Sequence, residues 1–329
     1  MKICLFDPGI ENNNGSPSAN LGDLIIQEAV ERELNNIFEN SSIVHISTHT
    51  FPHQEHIRSI RSCSISFVGG TNLLNSKMNI YKKWKVSGRQ QLMLKKAILM
   101  GVGWQFYQHK PNFYTSILLK MVLSRKFFHS VRDSYTKRQL QLAGISNVIN
   151  TGCPTMWPLM NIRSEDIPST KSASALVMLT DYSKDYELDK KLLNLISCKY
   201  EKVFIWSQGR GDKEYISQLV SAINIPVVML EHSLSSFNNL LNSGIPFDYI
   251  GTRLHGGVKC LLSRKRALVI EIDNRAAEIA KDTNLPTTKR SDFQYINHWI
   301  ETPLPTEIKI DSDAVYRWKS QFIYFEHDN

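Results

Sequence analysis

Short apolar runs alternate with longer segments of helical periodicity along most of the chain. Such runs predict buried strands, and the segments between them predict amphipathic helices. In the first half, strands are predicted at residues 2–6, 43–46, 64–68, 97–102 and 127–131, and helices at residues 23–38 and 134–143. Strands that alternate with helices form βαβ units, so we expect parallel sheets.

The same alternation continues in the second half, with strands predicted at residues 175–179, 203–206, 227–230, 248–251 and 267–272. Residues 151–174 contain three prolines and a polar cluster, which is typical of a linker. The predicted fold class is therefore α/β, with two Rossmann-like, doubly wound domains facing a cleft. We expect the domains at residues 1–152 and 153–310, followed by a helix within residues 311–329. Ligands of such sheets bind at the carboxyl ends of the strands, which here would line the cleft.

The charge and the cysteine content indicate which binding partners and which cellular compartment to expect. The 329 residues include 39 Lys and Arg against 31 Asp and Glu, a net charge of +8, which favours anionic partners. The basic residues never form a run of five, so nucleic acid is not expected as a partner. Five cysteines without a CxxC pair, and no apolar run long enough to span a membrane, predict a cytoplasmic protein. Its positive charge would allow contact with the inner face of the membrane.

Three polar or glycine-rich motifs follow predicted strands of the first half. Asn20-Leu-Gly22-Asp23 opens the first helix, where Asp23 would cap the helix or the backbone N–H groups would hold an anion. Gly69-Gly70-Thr71-Asn72 is either a tight turn or a place where a ligand approaches the backbone. Gly101-Val-Gly103 is interpreted as a turn at a strand end.

Arg132 directly follows the strand predicted at residues 127–131, in the sequence Ser-Val-Arg-Asp-Ser. At that place an arginine faces the ligand-binding edge of a parallel sheet, and its planar fork suits a carboxylate or a phosphate. Asp133 or Ser134 would cap the next helix. The alternative is an Arg–Asp surface pair, which contributes little to stability.

The strongest signal is the sequence Gly251-Thr-Arg-Leu-His-Gly-Gly257, where a strand ends and a helix opens near Gly256. Arg253 supplies a fixed cation, His255 an imidazole that titrates near neutral pH, and the helix start supplies N–H groups. A substrate with two anionic groups and a carbon that accepts a proton needs this combination. The alternative is a structural histidine in a loop.

Asp273-Asn-Arg275 follows the next strand, and Arg275 is either a second anion clamp or simply the partner of Asp273. The scattered histidines of the first half show no HExxH spacing, and a metal site is not expected. The GxSxG elbow of serine hydrolases is also absent from the sequence.

Taken in order, these motifs resemble the polysaccharide pyruvyl transferase family. The matching pieces are Asn20-Leu-Gly-Asp23, Gly69-Gly-Thr-Asn-Leu73, Val131-Arg-Asp-Ser134, Gly152-Cys-Pro154, Gly251-Thr-Arg-Leu-His-Gly256 and Asp273-Asn-Arg275 with Leu285-Pro286. The resemblance implies a fold like that of the GT-B glycosyltransferases, with a carboxy-terminal helix that crosses back to the first domain. It also implies transfer of the pyruvyl group of phosphoenolpyruvate to a sugar of a cell-surface polysaccharide or exopolysaccharide, or to its lipid-linked precursor.

The resemblance assigns roles to individual residues. It places His255 and Arg253 in catalysis, and assigns donor binding to Arg132, Arg253, Leu254, His255, Gly256 and Arg275. It assigns the acceptor side of the cleft to Asn20, Gly22, Asp23, Gly69, Gly70, Thr71 and Asn72. Thr71 stands where many members have a third glycine, and residues 75–91, with four lysines and Arg89, are a candidate acceptor loop. Phosphoenolpyruvate is a co-substrate, and neither a cofactor nor a metal is implied.

Two other functions fit parts of the pattern. A nucleotide-sugar glycosyltransferase of the same two-domain fold would also hold a diphosphate with cationic side chains at the cleft. A glycan-binding relative without activity would be expected to have a broken Arg-Leu-His turn, and that turn is intact at residues 253–255.

Overall fold

The structure is a computed structural model that describes residues 1–86, 96–223 and 226–323. The chain forms two compact units. The first unit comprises residues 1–18, 23–157 and 310–329, and the second comprises residues 19–22 and 158–309. None of the helices among the described residues has the length and apolar character that a membrane crossing requires.

The first unit is built on a parallel sheet with the strand order β2-β1-β3-β4-β5-β6 among the described residues. Its strands are β1 (Lys2–Asp7), β2 (Ser42–Ser47), β3 (Ile65–Leu74), β4 (Ala97–Trp104), β5 (His129–Val131) and β6 (Val148–Asn150). Its helices are α1 (Leu21–Ile37), α2 (Gln54–Ser62), α3 (Phe113–Val122), α4 (Ser134–Leu142) and, at the end of the chain, α11 (Ser312–Ser320). The order reverses between β1 and β3, and ligand sites of such sheets lie at the carboxyl ends of strands near such a switch point.

The second unit is also a parallel sheet, in the order β12-β11-β10-β7-β8-β9 among the described residues. Its strands are β7 (Ser174–Met178), β8 (Lys202–Ile205), β9 (Val228–Met229), β10 (Phe247–Gly251), β11 (Ala267–Glu271) and β12 (Thr287–Lys289). Its helices are α5 (Tyr186–Lys199), α6 (Asp212–Ile223), α7 (Leu234–Asn242), α8 (Leu254–Leu262), α9 (Asn274–Thr283) and α10 (Phe293–Glu301). This is the strand order of the dinucleotide-binding fold, with its switch point between β7 and β10.

Helix α11 belongs to the first unit and packs on its sheet side beneath β3. The indole Nε1 of Trp318 donates a hydrogen bond of 2.9 Å to the carbonyl of Phe128. Phe322, just beyond the helix, lies 5.4 Å from Phe67 and 5.5 Å from Phe38, measured between ring centroids. The end of the chain therefore completes the core beneath β3. Residues 324–329, including Phe325 of the predicted helix, lie outside the described residues.

The units differ from the predicted domains at two places. Residues 153–157 belong to the first unit, because the Trp157 indole donates to the Thr151 carbonyl at 2.8 Å and packs on Trp318 at 5.8 Å. Residues 19–22 belong to the second unit, where the Leu21 N–H donates to the Gln208 carbonyl at 2.9 Å.

Candidate functional site

Arg132 follows the last residue of β5, as predicted, and its side chain is only 1% exposed. Its Nε donates to Asp133 Oδ2 at 3.2 Å, and Nη2 lies 3.1 Å from the same oxygen without hydrogen-bond geometry. The buried Nη1 has no hydrogen-bond acceptor among the described residues. Asp133 is also the cap of α4, since its Oδ1 accepts from the Thr136 N–H at 2.7 Å. Two buried donors that make no hydrogen bond with the described residues are costly, which is the arrangement expected of an anion-binding guanidinium.

Gly103 makes room for this guanidinium. A side chain at position 103 would occupy the space of the Arg132 guanidinium, so the close approach requires glycine. The interpretation of residues 101–103 as a strand-end turn is wrong, because both glycines lie inside β4. Glycines within a buried strand often mark close approach of another group, and here that group is an arginine.

The second glycine motif also lies inside a strand. Residues 69–72 were predicted to follow a strand that ends at Val68, but β3 continues through them to Leu74. Gly70 allows the backbone of β4 to come close, since a Cβ at position 70 would lie 2.8 Å from the Gly101 carbonyl oxygen. Asn72 pairs with Gly103 in the sheet register, and its buried Oδ1 has no hydrogen-bond partner among the described residues. Asn72 and Arg132 therefore both approach Gly103.

Thr71 has a φ angle of +147°, a conformation that side-chain-bearing residues rarely adopt. Such a backbone costs about 1–3 kcal/mol, and glycine avoids this cost at a smaller entropic loss. We expect Thr71→Gly to raise the free energy of unfolding by about 1 kcal/mol, measured by urea denaturation. Thr71→Ala is the matched control and should give no gain, because alanine retains the Cβ; a loss of stability in Thr71→Gly would contradict the prediction.

The Asn20-Leu-Gly22-Asp23 motif opens α1, but its cap differs from the prediction. Asp23 is the third residue of α1 and accepts a hydrogen bond from Ser18 Oγ at 3.2 Å. The residue before the helix is Asn20, whose Oδ1 accepts from the Gly22 N–H at 3.2 Å. Gln208 Nε2 also donates to this Asn20 oxygen at 3.2 Å, and its own Oε1 is buried without a partner among the described residues.

In the second unit, Arg253 follows β10 and is held by a buried carboxylate. Its side chain is 5% exposed, and Nε donates to Asp212 Oδ2 at 2.9 Å while Nη2 bonds Asp212 Oδ1. Asp212 also accepts from the backbone N–H groups of Gly209 at 2.7 Å and Asp181 at 3.0 Å. Burial raises the pKa of the Asp212 carboxyl, and the Arg253 charge opposes that rise. Two of the three guanidinium nitrogens are thus committed to Asp212.

His255 lies buried in the first turn of α8, two residues after Arg253. The helix opens at Leu254 rather than near Gly256, and the Gly257 N–H donates to the Arg253 carbonyl at 3.1 Å. The Gly257 amide is therefore used within the helix, and the contact of the helix-start N–H groups with an anion stays a prediction. Gly256 instead packs against Met178, where a side chain would clash with the sulfur. Gly256 and Gly257 allow α8 to pack close to the sheet, which fixes the position of His255 relative to the strands.

Arg275 pairs with Asp273, and its predicted role as a second anion clamp stays a prediction. Its Nε donates to both carboxylate oxygens of Asp273, at 3.0 and 2.9 Å, and Nη2 also bonds the Tyr182 hydroxyl. The Tyr182 ring centroid lies 5.7 Å from the guanidinium of Arg275 and 5.0 Å from that of Arg253. Tyr182 therefore connects the two arginines at the carboxyl edge of the second sheet.

A further polar group lies at β1 and β2 of the first unit. The buried Asp7 accepts from the Gly9 N–H at 2.7 Å, and its Oδ2 lies 2.7 Å from His45 Nδ1, while His45 Nε2 is 3.8 Å from Glu31. The Asp7 hydrogen bond raises the pKa of His45, and burial raises the pKa of Glu31. Ligand atoms of the three residues lie within 4.8 Å of one another, close enough to hold a cation. Glu31 and His45 line a cavity of about 360 Å³, and the buried Asp7 lies behind His45.

Sequence reasoning missed Asp7, His45, Tyr182, Gln208 and Asp212. Asp212 had a visible signal, because Gln-Gly-Arg-Gly-Asp follows the apolar run of β8 as the other motifs follow their strands. Asp7 and His45 had none, since they meet only through the pairing of β1 with β2. Arg132 lies in the first unit and Arg253, Leu254, His255, Gly256 and Arg275 in the second, and their meeting across a shared cleft stays a prediction.

Comparison with known sequences decides the family. Residues 20–245, more than two thirds of the chain, match the family model described as polysaccharide pyruvyl transferase. The chain belongs to the polysaccharide pyruvyl transferase family. The match includes the motifs around Gly22, Gly70 and Arg132, whereas the Arg-Leu-His turn lies just beyond its end.

The chain is also distantly similar in structure to proteins outside the pyruvyl transferase family. E. coli heptosyltransferase WaaC with ADP-2-deoxy-2-fluoro heptose is 10% identical, with a TM-score of 0.40, over 82% of this chain and 88% of that chain. UDP-GlcNAc 2-epimerase from Neisseria meningitidis bound to UDP-GlcNAc is 12% identical, with a TM-score of 0.44, over the full length of both chains. No curated protein sequence matches this pyruvyl transferase.

Proposed function

We propose that this protein transfers the pyruvyl group of phosphoenolpyruvate to two hydroxyls of one sugar in a cell-surface polysaccharide or its precursor. Membership of the family supports pyruvyl transfer to a polysaccharide. The assignment of phosphoenolpyruvate as the donor depends instead on the side chains of the site. The observation that carries the donor assignment is Arg132, a buried guanidinium that pairs with Asp133 while its Nη1 and Nη2 make no hydrogen bond with the described residues. A carboxylate or phosphate oxygen would supply both acceptors.

In the proposed reaction, His255 donates a proton to the methylene carbon of phosphoenolpyruvate, and positive charge develops on the enol carbon. A sugar hydroxyl attacks that carbon and gives its proton to His255. The bond from the carbon to the phosphate oxygen then breaks, and a second hydroxyl of the same sugar closes the ketal. Of the two hydroxyl protons, one balances the new methyl group and the other leaves on inorganic phosphate. Arg253 contributes its charge and the nitrogen Nη1, which is not part of the Asp212 pair.

We place the acceptor sugar in the first unit, at the cavity beside Asp7, Glu31 and His45. The Glu31 carboxylate, the His45 imidazole and the Gln27 amide line this cavity of about 360 Å³, and such groups bond sugar hydroxyls. The acceptor assignment is separate from the donor assignment.

Phosphoenolpyruvate is expected to stabilise the wild-type protein against heat, because a ligand of the native state shifts the unfolding equilibrium. In Arg132→Lys, which keeps the charge but lacks the planar fork, the affinity should fall about 10- to 100-fold. Isothermal titration calorimetry of phosphoenolpyruvate measures this change directly.

Arg138→Lys is the matched control. Arg138 lies on α4, the helix that follows Arg132, and its guanidinium lies over the Tyr135 ring. This variant should bind phosphoenolpyruvate as the wild type does. Stabilisation by nucleotide sugars but not by phosphoenolpyruvate would replace the proposal with the glycosyltransferase alternative. Equal phosphoenolpyruvate affinity in wild type and Arg132→Lys would remove Arg132 from the donor site.

A further inference from the structure

Charge is distributed very unevenly along the chain. Residues 56–132 contain 14 Lys and Arg and no Asp or Glu, whereas the whole protein has a net charge of +8. The rest of the chain is therefore net negative. A stretch of 77 residues without a single acidic side chain presents positive potential wherever it reaches the surface.

The same stretch exposes large apolar side chains. Phe113 is 82% exposed and Ile80 is 64% exposed, and five more such side chains of this stretch are exposed on the first unit. We call this group the aromatic face, and its members are Ile80, Tyr81, Phe106, Tyr107, Phe113, Tyr114 and Ile117. Clusters of exposed apolar side chains mark surfaces that meet a partner.

Hydrogen bonds join the three segments that carry the aromatic face. The Asn112 side chain, which caps α3, donates to Asn79 Oδ1 at 2.8 Å. The Met78 N–H donates to Thr115 Oγ1 at 2.9 Å, and Ser76 Oγ donates to the His109 carbonyl at 2.6 Å. The turn at residues 77–81, the loop at 105–112 and the start of α3 thus form one surface.

Exposed lysines lie close in sequence to the aromatic face on each of these segments. Lys77, Lys82 and Lys83 flank Ile80 and Tyr81 in sequence, Lys110 precedes α3, and Lys120 lies on α3 one turn beyond Ile117. Apolar side chains with lysines around them are the composition of proteins that bind at a bilayer interface. A second copy of this chain would bring these lysines against the same lysines, which opposes self-association through this face.

We propose that the aromatic face docks on an anionic lipid bilayer, with Phe113, Ile117 and Ile80 in the interfacial layer and the lysines at the lipid headgroups. Each lysine near such a surface strengthens binding about fivefold, so several of them together give useful affinity. Aliphatic side chains such as Ile80 and Ile117 gain from entry into lipid and have no comparable role on nucleic acid. This surface function is independent of the pyruvyl chemistry.

Co-sedimentation with large vesicles tests the proposal, using phosphatidylcholine alone and phosphatidylcholine mixed with phosphatidylglycerol. We expect the wild type to bind the mixed vesicles and to bind the neutral ones weakly. Phe113→Ser with Ile117→Ser should reduce binding to mixed vesicles at least about tenfold, from the loss of apolar burial. Lys82→Glu with Lys83→Glu should reduce it by a similar factor.

Tyr316→Ser is the matched control, because Tyr316 is 70% exposed on α11 of the same unit and lies outside the aromatic face. It should bind vesicles as the wild type does, and circular dichroism should show all variants folded. Equal vesicle binding by the wild type and both double variants overturns the proposal. A dimer in light scattering that Phe113→Ser with Ile117→Ser dissolves, or wild-type binding to DNA in place of vesicles, also overturns it.

Discussion

Replacing His255 by alanine is expected to lower turnover by about 10²–10⁴-fold while phosphoenolpyruvate still binds. The imidazole is the proposed proton donor to the methylene carbon, and the Arg253 and Arg132 charges that would hold the donor remain in this variant. A loss confined to kcat would separate proton transfer from binding. The measurement is a phosphate-release assay with a suitable acceptor, together with calorimetric titration of phosphoenolpyruvate.

His255 is buried, so its removal needs a folding control. His255→Gln retains hydrogen-bonding ability and should fold as the wild type does, yet it cannot exchange a proton and should be as inactive as the alanine variant. His298→Ala on α10, where the histidine is exposed, should leave turnover unchanged. Turnover within a factor of two of wild type in either His255 variant would remove this residue from the mechanism.

Removing Asp212 is expected to lower the free energy of unfolding by about 3–5 kcal/mol. The buried Arg253 charge would lose its bidentate partner and keep only the Asp181 carboxylate, whose Oδ1 lies 3.5 Å from Nη2. Asp212→Ala also removes the acceptor of the Gly209 and Asp181 backbone N–H groups. Arg253→Lys keeps the charge but cannot bond both Asp212 oxygens, so it should weaken phosphoenolpyruvate binding more than it weakens the fold. Urea denaturation and calorimetry measure the two effects.

The comparison for Asp212 is an ion pair on the surface. Asp166 pairs with Arg163, whose side chain is 72% exposed, so Asp166→Ala should leave the urea midpoint unchanged. If Asp212→Ala unfolds at the same urea concentration as the wild type, the buried Asp212–Arg253 pair does not stabilise the fold. If Arg253→Lys binds phosphoenolpyruvate with unchanged affinity, the role of Arg253 in the donor site is refuted.

The alternation of apolar runs and helical segments was sufficient to predict two parallel sheets, but not where individual strands end. Residues 69–72 look like a turn because glycine disfavours strands, yet β3 runs through them. The cause is tertiary: β3 is paired with β1 and β4 on its two sides, and Gly70 is needed where the β4 backbone approaches. A local pattern does not contain this information.

The candidate site could be predicted where a residue directly follows a strand, and not where it depends on a partner. Arg132 and Arg253 follow β5 and β10 as expected. Asp212 is 41 residues from Arg253 in sequence, and only the order of β7, β8 and β10 in the sheet brings them together. The pairing of His45 with Asp7 arises in the same way from neighbouring strands.

The place of α11 has a consequence for how the protein is made. The core beneath β3 needs Trp318 and Phe322, which leave the ribosome only after the whole second unit has been synthesised. At roughly 5–20 residues per second, translation of the intervening 158–309 segment takes on the order of 10–30 s. During that interval the nascent first unit exposes Phe38 and Phe67, so a chaperone that binds aromatic surfaces has its longest opportunity before termination.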